Sequence, residues 1–389
     1  MKAKPIEGVN ALHSDMKRWM EYIHSHPEVS TKEHETARYI AKELVQMGYE
    51  VHEKIGKDGI YGVVGRLQNG EGHKSIGFRA DMDAIRVQED NNLSYKSRYD
   101  GISHLCGHDG HSAMALGGAK YLAKTRRFNG TVHFIFQPSE ENMQGGPAMI
   151  ADGLFEKFQI DRLYAMHNIP GLPKGVLHFH DGETMSAVDN WEIELTGKGS
   201  HGSMPELSID PVVAGASLVM ALQTIISRNI SPWDNGVVTI GAFLAGNEGN
   251  VIANSAILRL SMRNMQAETR VKVLDRIRKI TAAQAECYGC TYNIKEGQPG
   301  AVLVNSPEET KFAADVAKKY FGEENVVYPC KPLMSSEDFA FMLQQKPGSY
   351  IMIGNGDTFM VHHPKYVFDT DILPIGASMW VALAEEYLK

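Results

Sequence analysis

Four cysteines in 389 residues are too few to staple a chain of this size, which excludes a disulfide scaffold. No stretch reads as the roughly 18–20 consecutive apolar residues of a membrane span, and Met1 to Lys17 lacks the apolar core of a signal peptide. Runs of Lys or Arg are absent, and 39 basic against 47 acidic residues leave a net charge of −8. Binding a polyanion needs a clustered basic face, so no nucleic-acid partner is expected. Internal repeats and low-complexity segments are absent too. The glycine-rich Gly197 to Ser203 lacks phosphate-loop spacing, which excludes nucleotide binding there. Cys287 and Cys290 form one C-x-x-C with no second pair, read as two reduced structural thiols. A cytoplasmic protein with no membrane partner is the resulting expectation. What is present is ordinary for a globular chain, 43% hydrophobic and 22% charged. The length exceeds what one core usually supports, so two domains are expected.

Hydrophobic periodicity predicts an α/β fold. Two helices open the chain, the second carrying Ala37, Ile40, Ala41, Leu44 and Val45 at helical spacing, with Ser30 and Glu33 in capping-box positions and Gly48 as its stop. Strands are predicted at Gly62 to Leu67, Lys74 to Ala80, Thr131 to Gln137 and Arg162 to His167, and a helix at Gly110 to Lys124 with a face of small residues, Ala113, Ala115 and Ala119. Strands alternating with helices favour a sheet flanked by helices, whose ligands collect at the carboxyl ends of the strands. Residues 186–295 read differently, as β-α-β-β-α-β, the split βαβ order of a ferredoxin-like α+β unit. They form an inserted module, leaving 1–185 and 296–389 as one discontinuous domain. Helices resume at Pro307 to Tyr320, Glu337 to Gln345 and Pro374 to Leu388.

Metal-competent side chains cluster just after the predicted strands. Asp81 and Asp83 flank Met82 after the first of these strand ends. Cys106-Gly107-His108-Asp109-Gly110-His111 packs a thiol, two imidazoles and a carboxylate ahead of a helix, the side chains that hold zinc-like cations. A Cys-His nucleophile pair is the rival reading of that segment, but it leaves the other clusters without a role. Glu140 and Glu141 follow the strand Thr131 to Phe136. Two adjacent carboxylates repel unless they divide the labour, one coordinating a cation and the other taking a proton from the attacking water. His167 ends another strand, and His362-His363 sits in a late loop. Within the module, His201 is a candidate donor to a substrate oxyanion, and Asn250 and Arg263 are candidates to grip a carboxylate.

Together these segments resemble a known family, the two-metal peptidase and aminoacylase superfamily. The matching branch is that of hippurate hydrolases, N-acyl-amino-acid amidohydrolases and auxin-conjugate hydrolases. The matching stretches run in family order: Phe78 to Ala84, Cys106 to His111, Phe136 to Glu141, Gly197 to His201, Asp210-Pro211, Asn250 to Ile252, Ser336 to Phe339 and His362 to Pro364. The resemblance implies a di-zinc exopeptidase-like mixed sheet flanked by helices, with the inserted module serving as dimerisation and lid domain. It implies two divalent cations, Zn2+ or Mn2+, held by Cys106, His108, Glu141, His167 and His362. Glu140 then looks like the general base, and Asp83 like the carboxylate orienting a ligand histidine. His201 looks like the residue that reaches the partner subunit's site, while Asn250 and Arg263 look like substrate-carboxylate contacts. The implied activity is metal-dependent hydrolysis of the amide of an N-acyl amino acid, a small-molecule substrate, by a homodimer, with a tetramer as the alternative. A dipeptidase or carboxypeptidase of the same fold, or a non-catalytic metal-binding relative, are the other readings. Two departures stand out: His363 replaces the usual Asn or Ser after the late histidine, and Ile85-Arg86 replaces Leu-Pro.

Overall fold

The computed structural model describes residues 3–57 and 59–389, which divide into two compact units. The first comprises residues 1–184, 304–332 and 338–389 within those limits. Its centre is an eight-stranded mixed sheet. Strands β1 (Glu50–Ile55), β2 (Gly62–Asn69), β3 (Ser75–Asp81), β4 (Gly130–Gln137) and β5 (Arg162–Ile169) assemble in the order β1-β2-β4-β3-β5, followed by Gly348–Gly354 and two short edge strands. β1 and β2 run antiparallel to their neighbours, whereas β4, β3, β5 and Gly348–Gly354 are parallel.

Every residue of β3, β4 and Gly348–Gly354 is buried. Helices cover a parallel sheet on both faces, so its strands read as continuous apolar runs rather than alternating ones. Helices α1 (His13–Ser25), α2 (His34–Gln46), α3 (His108–Thr125) and Leu373–Tyr387 supply the cover. The small-residue face of α3 explains how closely they pack: Ala113, Ala115 and Ala119 are at most 2% exposed. A Cβ on Gly117 would lie 2.4 Å from Met16 Sδ on α1.

Two strands escape the sequence patterns, and each has a reason. β1 is an edge strand, largely exposed and without an apolar alternation. Gly348–Gly354 is a short run begun by Gly348, whose place beside β5 comes from a distant part of the chain. The capping box expected at Ser30 and Glu33 does not form. Glu28 takes that role, its carboxylate accepting from Glu35 N (3.2 Å) and Thr36 N (2.8 Å) at the start of α2. Val45, counted on the apolar face, is 61% exposed. The helix expected from Glu337 begins at Phe339. Asp338 is instead pinned by Arg79, Gln137 Nε2 (2.6 Å) and Gly146 N (2.8 Å).

The second unit comprises Met185–Leu303 and Leu333–Glu337. Its four-stranded antiparallel sheet has the order Gly236–Ala245, Ser255–Asn264, Ala187–Thr196, Thr291–Glu296. Helices Pro211–Asn229 and Ala267–Tyr288 cover it, and Trp191, Ile193, Leu218, Leu258 and Ile277 form its core. The unit reaches beyond residues 186–295 because flanking segments bond at or beside its first strand: Gly300 N donates to Val188 O (2.9 Å), and Leu333 bridges Met185 just before it. One expectation from composition needs correcting. Helix Pro211–Asn229 is long and apolar enough to cross a membrane by length and composition, with mean hydropathy 1.3. It packs Ala214, Leu218, Leu222 and Ile225 into the sheet core, each 0% exposed, and leaves Val212, Val213 and Met220 exposed on the rest of its surface.

Candidate metal centre

The three parallel strands β3, β4 and β5 end at one edge of the sheet, and their continuations carry the candidate side chains. β3 leads to Asp83, β4 to Glu140 and Glu141, and His167 lies near the end of β5. α3 starts at His108, earlier than its apolar pattern suggests, so His108 and His111 share a face of its first turn.

Ligand-type atoms converge here in overlapping groups, each with all atoms within 4.8 Å of one another: Cys106-His108-His167, Cys106-Glu141-His362 and His108-Glu140-Glu141. Cys106, His108 and Glu141 each belong to two of these groups, so the three groups form one continuous cluster. His108 Nδ1 lies 2.9 Å from Asp83 O and 3.1 Å from Asp83 Oδ1, both acceptors. Nδ1 therefore carries a proton, and Nε2 faces the cluster. His167 follows the same logic: Nδ1 donates to Asn168 O (2.7 Å), and Nε2 points at Cys106 Sγ (3.4 Å). Asp83 Oδ2 accepts from Ser30 Oγ (2.7 Å) and Glu141 N (3.0 Å), so one carboxylate orients the His108 ring and holds the backbone of Glu141, both candidate ligands.

A divalent cation fits this cradle. His108 Nε2 is buried and makes no hydrogen bond, a costly state for a polar atom unless an ion completes it, and the buried Glu141 Oε1 meets His362 Nε2 at 3.2 Å. Burial opposes a charge on His108, yet Asp81 and Cys106 raise its pKa well above the imidazole range. Hydrogen bonds to Cys106 and Glu141 bring His362 up to about 10. The cluster thus favours positive charge where a cation would sit. Burial, then the charge of Glu141, pushes the Cys106 thiol up, which disfavours a free thiolate nucleophile.

The late loop also resolves between its two histidines. His362 Nε2 lies 3.2 Å from Glu141 Oε1. Its backbone is left-handed (φ 69°) and tied by a bond from His362 N to Leu105 O (2.7 Å). His363 points elsewhere, stacked on Phe359 with ring centroids 4.3 Å apart. Arg86 is exposed.

A second layer was not legible in the motifs. Arg79, 2% exposed, donates to Asp81 Oδ2 (2.7 Å), Gln137 Oε1 (3.0 Å) and Asp338 Oδ1 (3.0 Å). His111 faces Asp81 Oδ1 (2.6 Å) and Asn168 Oδ1 (2.7 Å). Burial would raise Asp81, but His108, His111 and Arg79 hold it well below the usual carboxylate range. The signal was present as a buried Arg in an apolar strand, which demands partners. Gly107 closes this layer: its φ is 104°, and a Cβ would stand 2.1 Å from Asn168 Oδ1. Gly107→Ala is therefore expected to cost about 2 kcal/mol or more in stability and to weaken metal binding at least tenfold. Thermal melts and metal titration measure both.

The second unit holds the remaining candidates. His201 and Val251 are paired across a short ladder, and Gly202 N donates to Asn250 O (2.8 Å), so His201 and Asn250 are neighbours. Both are exposed. Arg263 is not with them. In the register, Ser255 pairs with Thr196 and Arg263 with Val188, so Arg263 lies roughly 26 Å along the strand from Ser255, at about 3.3 Å per residue, while Asn250 precedes Ser255 at the other end. Its Nη1 donates to Met334 O (2.9 Å) and Ser336 Oγ (3.1 Å). One chain does not bring Asn250 and Arg263 to a common small carboxylate.

Comparison with known proteins adds an independent finding. Residues 77–386 match Peptidase family M20/M25/M40. The chain is 41% identical over 378 residues to the hippurate hydrolase of Campylobacter jejuni, covering 97% of this chain and 98% of that protein. It is 33% identical to an N-acetylcysteine deacetylase of Bacillus subtilis, covering 96% and 97% of the two chains. Among solved structures, it superposes with TM-score 0.82 and 30% identity on a Bacillus subtilis protein described as a dinuclear metal-binding peptidase of the M20 family, covering 97% and 99%.

Proposed function

This chain belongs to Peptidase family M20/M25/M40, and we propose that it is a metal-dependent amidohydrolase that splits N-acyl amino acids into a carboxylic acid and a free amino acid. The convergence of two ligand groups on Cys106, with the buried carboxylate of Glu140 within 4.8 Å of ligand atoms, carries this reading. The hippurate hydrolase and deacetylase relatives support the substrate class.

In this reading Cys106, His108, Glu141, His167 and His362 hold two divalent cations. When bound, the cations supply Lewis acidity toward the amide carbonyl and bring the pKa of water toward neutrality. Glu140 takes the proton from the attacking water and returns it to the departing amine. Asp83 keeps His108 in the ligating tautomer, and the Arg79–Asp81–His111 network fixes the floor beneath it. Zinc and manganese both suit this N, O and S donor set, and the thiol favours zinc.

A homodimer completes the substrate contacts. Arg263 of one chain would grip the amino-acid carboxylate together with the partner subunit's Asn250, and His201 of the partner subunit would steady the tetrahedral intermediate. The separation of Arg263 from Asn250 within one chain supports this division. The edge strand Gly236–Ala245 and helix Pro211–Asn229 expose Val237, Phe243, Leu244, Val212, Val213 and Met220, an apolar surface for a second copy. A tetramer is the alternative assembly. The four cysteines are free thiols, in keeping with a cytoplasmic location.

A substrate panel tests the proposal. Turnover of benzoyl- and acetyl-amino acids is expected to exceed that of dipeptides with a free α-amino group by at least tenfold in kcat/KM. The reverse preference would make the protein a dipeptidase or carboxypeptidase, and no turnover of either class would make it a binding protein.

A further inference from the structure

Ser139, directly before Glu140, is held in a left-handed backbone conformation (φ 58°), which side chains other than glycine rarely adopt. Thr31, across from it, is also left-handed (φ 70°). The two are joined: Thr31 N donates to Ser139 Oγ (2.7 Å). Glu33 completes the grip, its Oε1 accepting from Ser139 N (2.6 Å) and Ser139 Oγ (3.2 Å). The carbonyl of Ser139 in turn accepts from Gln144 N and Gly145 N, both at 3.1 Å. Each polar group of Ser139 is thus engaged, and two of them are held from the segment before α2.

Glu33 is not needed where it first seems to belong. Glu28 caps α2, and Glu33 is 2% exposed. Burial, then the charge of Asp83, raises its pKa to about 8. Strained backbone persists only where its surroundings over-determine it, and here the strained residue sets the direction in which the chain presents Glu140.

We propose that Thr31 and Glu33 form a clasp on Ser139 that aims Glu140 at the reacting water, making Glu33 a positioning residue for proton transfer. This rests on the reading of Glu140 as the general base. Misplacing a reacting group by about 1 Å can cost about 100-fold in rate, which sets the scale of the effect.

Glu33→Ala is expected to lower kcat about 10- to 100-fold, with KM within about twofold and metal content unchanged. Glu33→Gln keeps the oxygen that accepts from Ser139 N and Oγ, so it should return kcat to within about threefold of wild type. An unchanged kcat in Glu33→Ala, a loss confined to KM, or no rescue by Gln would overturn the clasp. Should Glu33→Ala fail to fold, Ser139→Gly is the second test. Glycine accepts the left-handed conformation but lacks the hydroxyl, so kcat should fall while thermal stability holds; an unchanged kcat again overturns it. Glu140→Gln, assayed alongside, separates the two ideas. If it is active, the base reading fails and takes the clasp with it. If it is inactive while Glu33→Ala is unimpaired, only the clasp fails.

Discussion

Glu140→Gln is expected to keep the fold and both metal equivalents while kcat falls by about 100- to 10,000-fold, the range of a lost general base. The expectation follows from the site's division of labour. Glu141 is held among the candidate ligands: its amide donates to Asp83 Oδ2 (3.0 Å), and its Oε1 lies 3.2 Å from His362 Nε2. Glu140 is buried beside His108 and Glu141 but lies outside both groups that contain Cys106. Glutamine preserves its size and its acceptor oxygen and removes only its ability to take a proton. Steady-state kinetics on an N-acyl amino acid, with elemental analysis of the same sample, would decide it. Retention of a tenth or more of kcat would remove Glu140 from its role, and loss of metal would move it into the ligand set.

Exhaustive chelation should have an equally large effect, on stability as well as turnover. Activity should disappear and return with added Zn2+ or Mn2+, the better of the two marking the preferred ion. Stability should fall too, because a metal that binds only the folded chain at 1,000 times its Kd contributes about 4 kcal/mol. Without it the protein keeps His108 Nε2 buried and unsatisfied. Calorimetry of the metal-free and reloaded protein would measure the difference. A metal-free sample with full turnover would end the proposal of a metal-dependent hydrolase.

Much of the fold was legible because helices and buried strands leave period and composition in the chain. β3, β4 and β5 were read within a few residues, as were α3 and Leu373–Tyr387. β1 was not, since an exposed edge strand carries no apolar pattern. Gly348–Gly354 was missed because its place in the sheet depends on pairing with β5, far away in sequence. Ser30 and Glu33 were read as a helix cap from their spacing. That spacing describes local competition for backbone amides, and it says nothing of Ser139 and Asp83, which claimed those side chains instead.

The sequence by itself determined the chemistry available: which strands end in thiol, imidazole and carboxylate groups. Residue type and local order suffice for that, since they set donor atoms and element ends. Only the tertiary structure decided how those groups are shared out. It turned His362 inward and His363 onto Phe359, gave Asp83 rather than Asp81 to His108 Nδ1, tied Asp81 to Arg79, and set Arg263 apart from Asn250. Directionality is the physical reason. Hydrogen bonds and metal ligation depend on angles and distances between segments distant in the chain, and a linear order of residues does not contain them.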